Sequence, residues 1–168
     1  MFKKLFVAML CALPLCAMAQ EFGSINRNEI FQAMPETKEA IQKLDQLAKN
    51  YENELLAMRE EYQKKGNDFM AQRDSLPEPI LQRRMSEIQE LESHMQEFYN
   101  QSQTNIQKQQ QEYIIPINKK LSDAIKAVGE ELGLIYIIDT SVESACVFVN
   151  PAKTKDVTNE VRKKLGIL

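Results

Sequence analysis

The chain holds one histidine, five glycines and three cysteines in 168 residues, and each scarcity closes off a class of chemistry. His94 lies on a stretch rich in Glu and Gln with no second His or Cys at ligand spacing, so it reads as a solvated side chain rather than a metal ligand. Five glycines leave little room for a phosphate-cradling loop, and neither a nucleophile elbow nor a paired-cysteine motif is present. The many carboxylates fall around the outside of amphipathic segments, where they serve solubility and i,i+4 pairing. The residues point to no enzyme and call for no cofactor or metal.

Long apolar runs are missing too, apart from the N-terminus. There "MFKK" followed by "LFVAMLCALPLCAMA" joins positive charge, an apolar run and a small-residue end, the make-up of a cleavable export signal over residues 1–19. Its apolar part is shorter than the roughly 20 residues that cross a bilayer. Cleavage after Ala17-Met18-Ala19 leaves a mature chain from Gln20, exported and soluble. Cys16 raises lipidation as an alternative, but Leu15 stands where a lipidation signal has a small residue. Loss of the signal removes Cys11 and Cys16, so Cys146 alone remains and no internal disulfide can form. In the apolar run "ACVFVN" it reads as a small buried hydrophobe. Lys3 and Lys4 leave as well, which takes the net charge from −3 to −5, 19 basic against 24 acidic residues. An acidic balance of this kind argues against a nucleic-acid partner. The excess lies between Glu36 and Ile115, with 15 acidic and 10 basic residues.

That stretch is also the most regular part of the chain. Ile41, Leu44, Ala48, Tyr51, Leu55, Met58, Tyr62 and Phe69 alternate spacings of three and four, a heptad seam that predicts a left-handed coiled coil. After "LPEP" the pattern resumes with Leu81, Met85, Ile88, Leu91, Met95 and Phe98 and thins to Ile106 and Tyr113. Pro35 and Pro116 lie at nearly equal distances on either side of Pro77. Folding the chain back at Pro77 brings Phe69 to Met85, Met58 to Met95, Leu55 to Phe98 or Tyr99, Ala48 to Ile106 and Ile41 to Tyr113, so one register matches both seams. The prediction is an antiparallel hairpin arm over residues 36–115 with its tip at 76–79. A kinked single helix is the competing reading. Two prolines each remove a helical hydrogen bond and push Leu76 and Glu78 out of the helical region, which favours reversal. Pro79 suits the first turn of the returning helix.

The flanking segments, residues 20–35 and 116–168, predict a small body. "EFGSIN" reads as a strand followed by a short helix through Ile30 and Phe31. From Pro116, Ile117, Leu121, Ala124, Ile125, Val128 and Leu132 form one helical face that stops at Gly133. "LIYIID" and "ACVFVN" read as strands, and Asp156 caps a last helix carrying Val157, Val161 and Leu165. The two later strands are apolar on both faces, more than one chain's helices can cover, so subunits are expected to share the sheet as an oligomeric core through Ile135, Ile137, Val147, Phe148 and Val149. The fold class is α+β, a small β-rich oligomerisation body bearing a long antiparallel helical hairpin.

Lys64, Lys65, Arg73, Arg83 and Arg84 gather near the tip against Asp68, Asp74 and Glu78. They either pair among themselves and with Glu90, or attract anionic lipid or an acidic polypeptide segment. Leu47, Leu56, Met70 and Tyr99 fall off the seam, either as ordinary scattered surface residues or as weak, adaptable contacts to an unfolded chain. Gly66, within a helix, marks either a close interhelical approach or a flex point in the arm.

The whole mature chain resembles the Skp family of periplasmic chaperones, also called the OmpH family. The resemblance rests on "FGSINRNEIFQAMPE", on the charged hairpin, on "IIPINKKLSDAIKAVGEELGLIYIID" with its apolar strand ending in Asp139, and on the closing "TKDVTNEVRKKLG". It implies a jellyfish-like homotrimer, with a shared β-rich body and three tentacles around a cavity. Such a protein holds unfolded outer-membrane β-barrel proteins in the periplasm without ATP. It also implies contact with lipid or lipopolysaccharide, transferred only weakly to Lys64, Lys65, Arg73, Arg83 and Arg84, since well-known relatives are strongly basic and these arms are acidic. A structural or adaptor protein whose rods bridge folded envelope partners is the alternative; the arms offer no defined patch for one beyond the seam.

Overall fold

The computed structural model describes residues 21–142 and 146–167. The expected export signal, with Cys11 and Cys16, lies outside the described residues. In chain order the elements are β1 Phe22–Ile25, α1 Arg27–Ala33, α2 Pro35–Gln72, a 3-10 turn Arg73–Ser75, α3 Glu78–Glu131, β2 Tyr136–Asp139, β3 Thr154–Asp156 and α4 Thr158–Leu165. The chain divides into two compact units, one of residues 21–30 and 123–166 and one of residues 31–122.

In the first unit β1 is the central strand of a three-stranded sheet ordered β2-β1-β3, with both neighbours parallel to it. Phe22 pairs with Tyr136 and Thr154, and Ser24 with Ile138 and Asp156. Gly23 is required at its place, because a Cβ there would stand 2.9 Å from Ile137 Cγ1 and 2.9 Å from Leu134 Cδ1. Ile25, Ile30, Val128, Val157 and Val161 form the buried core, and Ile30, Val157 and Val161 are wholly enclosed.

Polar side chains close the ends of the elements. Asn26 Oδ1 accepts from the Glu29 N–H at 3.1 Å and caps α1. Asp139 follows from the other side, its Oδ1 accepting from Ser141 Oγ at 2.6 Å, Ser141 N at 2.9 Å and Arg27 N at 3.4 Å. Burial alone would raise the Asp139 pKa, but the hydrogen bonds from Ser141 and from the Arg27 amide outweigh it and hold the carboxyl below its ordinary value. Asp156 Oδ1 likewise accepts from Thr158 N at 2.9 Å and Thr158 Oγ1 at 2.6 Å, which opens α4. Gly133, at φ +64°, ends α3: its N–H bonds Glu130 O and the Leu134 N–H bonds Gly129 O, a Schellman stop.

The third strand is not where the apolar run "ACVFVN" suggested. Among the described residues Cys146–Asn150 form no strand; Val147 is 103% and Phe148 76% exposed, and the half-buried Cys146 donates its thiol to the Phe148 carbonyl at 3.1 Å. The polar Thr154–Asp156 takes the place beside β1 instead. Its neighbours decide this: the Val157 N–H bonds Ser24 O at 2.9 Å, and Val157 and Val161 are then fully buried. A three-residue strand needs no apolar signature when the residues after it are the anchor.

In the second unit Met34 is extended, at φ −62° and ψ 131°, and Pro35 opens α2 in its first turn. At the far end Leu76 is extended before Pro77, and the Pro77 carbonyl accepts from Ile80 N at 2.9 Å and Leu81 N at 3.0 Å, so the chain reverses there and α3 begins. The two helices are antiparallel neighbours: Lys65 meets Glu87 at 4.0 Å, Asn105 bonds the Tyr51 hydroxyl, Lys43 lies 5.8 Å from the Tyr113 ring centre, and Lys120 bonds Glu36. Each arm of the pair runs for about 57 Å over the 38 residues of α2 at the helical rise.

The seam differs in detail from the heptad reading. Ala40, Leu44, Leu47, Tyr51, Leu55, Met58, Tyr62 and Phe69 turn inward, while Ile41 is 53% and Met85 45% exposed and Ala48 faces water. Apolar residues stand side by side at Ala40–Ile41 and Leu47–Ala48, so hydrophobicity could not choose between them. Phe98, one of the two residues expected against Leu55, sets its ring edge-on to Tyr51 with centroids 5.8 Å apart. Pro116 also does not restart a helix: α3 is a single helix from Glu78 to Glu131 with Pro116 inside it. A proline there costs about 3 kcal/mol. Ile117, Leu121, Ala124 and Val128, buried on one continuous face, offset that cost.

Because the folded Asp139 carboxyl sits below 3.8, its contribution is present above that pH and is lost as pH falls through the depressed value. Asp139→Asn is expected to cost about 1 kcal/mol at neutral pH and to flatten the acid limb of stability. Urea midpoints between neutral pH and acid check this, and an equally steep acid limb in the variant would reject it.

Candidate functional site

The tip cations divide by partner. Lys65 pairs with Glu61 at 3.5 Å and Glu87 at 4.0 Å, Arg83 pairs with Glu87 at 3.4 Å, and Arg84 donates to Gln72 Oε1 at 2.9 Å. Lys64 and Arg73 make no ion pair with any described residue. The partners are therefore Glu61 and Glu87 rather than Glu90, whose carboxylate accepts from Ser86 instead. Lys65, Asp68, Gln72, Arg83, Arg84 and Glu87 line an open polar cleft of about 310 Å³ across α2 and α3. Exposed pairs of this kind contribute little stability and exchange readily.

The apolar candidates separate by burial. Leu56, Met70 and Tyr99 are 54%, 67% and 46% exposed. Leu47 is half-buried on the seam and offers little free surface. At the other end of the same unit Ala40, Tyr113, Pro116 and Ile117 floor an apolar groove of about 270 Å³, rimmed by Glu36, Glu39, Lys43 and Lys120. Lys120 donates to Glu36 and holds that carboxyl below its ordinary value. The hydrogen bond to Glu39, 2.6 Å away, lifts the Lys43 ammonium above the usual lysine value.

In the sheet-bearing unit Ile135 is 47% exposed, Ile137 and Val149 are half-buried, and Val147 and Phe148 stand in water. Tyr136 at 57% and Val142 at 46% join them. Tyr136 rests one face of its ring against Phe22, centroids 5.0 Å apart. The outer edges of β2 and β3 have no strand partner among the described residues. Neither unit holds a group of three or more His, Cys, Asp or Glu placed for a metal ion among the described residues. No described helix is long and apolar enough to cross a membrane.

A long antiparallel helix pair is joined in sequence to a three-stranded parallel sheet, and comparison with known proteins finds this fold again. The family model described as outer membrane protein (OmpH-like) matches residues 21–165. The chain belongs to this OmpH-like family. The crystal structure of a Caulobacter crescentus CB15 protein assigned as an OmpH-like outer membrane chaperone shares the fold, with a TM-score of 0.74 at 16% identity over 86% of this chain and 82% of that one. No protein of curated function matches.

Within this OmpH-like fold, two features were hidden from sequence reasoning. Tyr136 and Val142 carry exposure that strand alternation did not assign, and the groove at Pro116 exists only because α3 continues through that proline. Of the two expectations for Gly66, the geometry bears on the packing one: the residue is helical, and a Cβ added there meets nothing within 4 Å. Close interhelical approach does not require it. Gly66→Ala should therefore raise the stability of the helix pair by about 1 kcal/mol. Urea unfolding followed by circular dichroism checks the gain, and a loss would mean that the glycine serves a packing role.

Proposed function

We propose that this OmpH-like protein is an ATP-independent holdase of the periplasm, which binds unfolded outer-membrane β-barrel proteins and keeps them from aggregating. The observation that carries the reading is the set of apolar residues standing singly in water on a charged helix pair: Leu56, Met70 and Tyr99. Each such contact is weak, and several together give avidity for a long unfolded chain while every contact stays easily broken. The Met side chain in particular adapts to varied partners. Family membership and the chaperone assignment of the Caulobacter protein support the same reading.

The sheet-bearing unit supplies the assembly half of the proposal. Ile135, Ile137, Val147, Phe148 and Val149 are the core of a homotrimer, joined by Tyr136 and Val142; exposed apolar groups of this size beside unpaired strand edges are what a partner subunit covers. Gly66 gives the arm a point of bending, and Lys64, Lys65, Arg73, Arg83 and Arg84 make at most a weak contact with lipid or lipopolysaccharide.

Dilution of an unfolded outer-membrane barrel protein from denaturant should produce little turbidity when a slight molar excess of trimer is present; turbidity equal to that of the barrel alone would remove the holdase reading. Phe148→Asp should shift the sedimentation of the protein from trimer towards monomer. A wild-type monomer at micromolar concentration would contradict the shared core.

A further inference from the structure

The middle of the helix pair differs in charge from its tip. From Glu52 to Glu61 α2 carries Glu52, Glu54, Glu60 and Glu61 against Arg59, and α3 carries Glu87, Glu90, Glu92 and Glu97 with no Lys or Arg between Arg84 and Lys108. The register sets these stretches side by side, bounded by Lys65–Glu87 at one end and by the Tyr51–Phe98 ring contact at the other. Glu61 and Glu87 are paired with Lys65 and Arg83. Glu52, Glu54, Glu60, Glu92 and Glu97 are exposed and make no ion pair with any described residue. Apolar side chains stand among them. Leu56 has Glu52 and Glu60 one turn away on either side of the same helical face, and Tyr99 lies two turns from Glu92. Glu92, Ser93, Gln96, Glu97 and Asn100 line an open concavity on α3. The concavity is open rather than enclosed, so the face suits an extended chain.

We propose that this stretch is a docking face for cationic segments of unfolded polypeptide, in which Lys or Arg side chains flank an apolar or aromatic residue. The apolar residue lies on Leu56 or Tyr99, and the flanking cations meet Glu52 and Glu60 beside Leu56 and Glu92 two turns from Tyr99, with Glu97 adding to the negative charge of the stretch. Charge complementarity selects this occupant: an acidic segment is repelled along the same face, and a neutral one gains only the contact with Leu56 or Tyr99. The inference rests on the holdase reading and adds to it a selection of client segments by charge.

The test uses three fluorescent unstructured peptides of equal length and apolar content, with Lys, Gln or Glu at the positions flanking a central Leu-Tyr pair. Anisotropy titrations of the purified protein should show the Lys peptide binding on the order of tenfold more tightly than the Gln peptide, and the Glu peptide most weakly. The advantage should shrink between ~0.1 M and ~1 M ionic strength, where the Debye length falls from about 10 Å to about 3 Å. Combined Glu52→Gln, Glu60→Gln, Glu92→Gln and Glu97→Gln substitutions keep helix propensity nearly constant and should abolish the Lys preference. Lys64→Gln with Arg73→Gln should leave it intact. Equal binding of the Lys and Gln peptides in an otherwise active holdase overturns charge selection alone. Lys-peptide binding without suppression of aggregation keeps the docking face and removes the holdase reading, and failure of all three peptides to bind overturns both. Retention of the preference in the fourfold variant rejects this face. Concentration-dependent self-association lost in the fourfold variant would assign the face to a second copy of the chain and overturn the proposal as well.

Discussion

Two helices lying side by side have one seam to bury and no third layer to cover anything else. That constraint governs the helical unit. Only Met58 and Ser102 along its middle reach the burial of a protein core, and the other inward residues remain half in solvent. Hydrophobic stabilisation of about 25 cal/mol per Å² therefore accrues thinly along the pair. Specificity has to come from elsewhere. The edge-on rings of Tyr51 and Phe98, the Asn105 bond to the Tyr51 hydroxyl and the Ser102 hydroxyl turned back to Phe98 O at 2.6 Å form one mixed layer that fixes which turn faces which. Ion pairs at Lys65–Glu87 and Lys120–Glu36 repeat the same register towards the two ends.

The same constraint places everything that a partner could touch on the outside. A surface this large relative to its core must be charged to stay dissolved, and the charges are unevenly spread: cations near the reversal, carboxylates along the middle. Apolar residues left outside the seam are consequently isolated from one another by polar neighbours. Such a pattern favours many weak contacts over one strong one. The sheet-bearing unit has the opposite character, with exposed apolar side chains close in sequence to strand edges that are unpaired among the described residues.

Helix periodicity in the sequence was enough to locate both long helices, the reversal at Leu76–Pro77 and the register to within about a turn, because a seam of apolar residues repeats along both helices and errors at single positions do not accumulate. It failed where two adjacent residues were equally apolar, as at Ala40–Ile41 and Leu47–Ala48, and so Leu47 was misplaced among the outward candidates. The off-seam positions of Leu56, Met70 and Tyr99 were legible because their polar neighbours leave no second choice. Pro116 misled for a different reason: a local rule about helix breaking was overridden by burial on the turns that follow. β3 left no trace at all in the pattern, since Thr154, Lys155 and Asp156 are held as a strand by the buried Val157 and Val161 and by the amide of Val157. The apolar run Cys146–Val149 carried the strand-like signal instead, yet it forms no strand and its Val147 and Phe148 stand in solvent.

The central strand of the sheet comes from the beginning of the described chain, while both of its neighbours come from the end: Ser24 lies between Ile138 and Asp156. No part of that sheet can close until β2, which follows both long helices, is available. The helix pair, by contrast, grows outward from a local reversal and needs only neighbours already delivered. A chain threaded through a membrane N-terminus first would thus leave Phe22–Ile25 waiting as an unpaired strand through most of its passage. Strand order thus makes the sheet depend on segments that follow both long helices, whereas the helix pair depends on neighbouring segments alone.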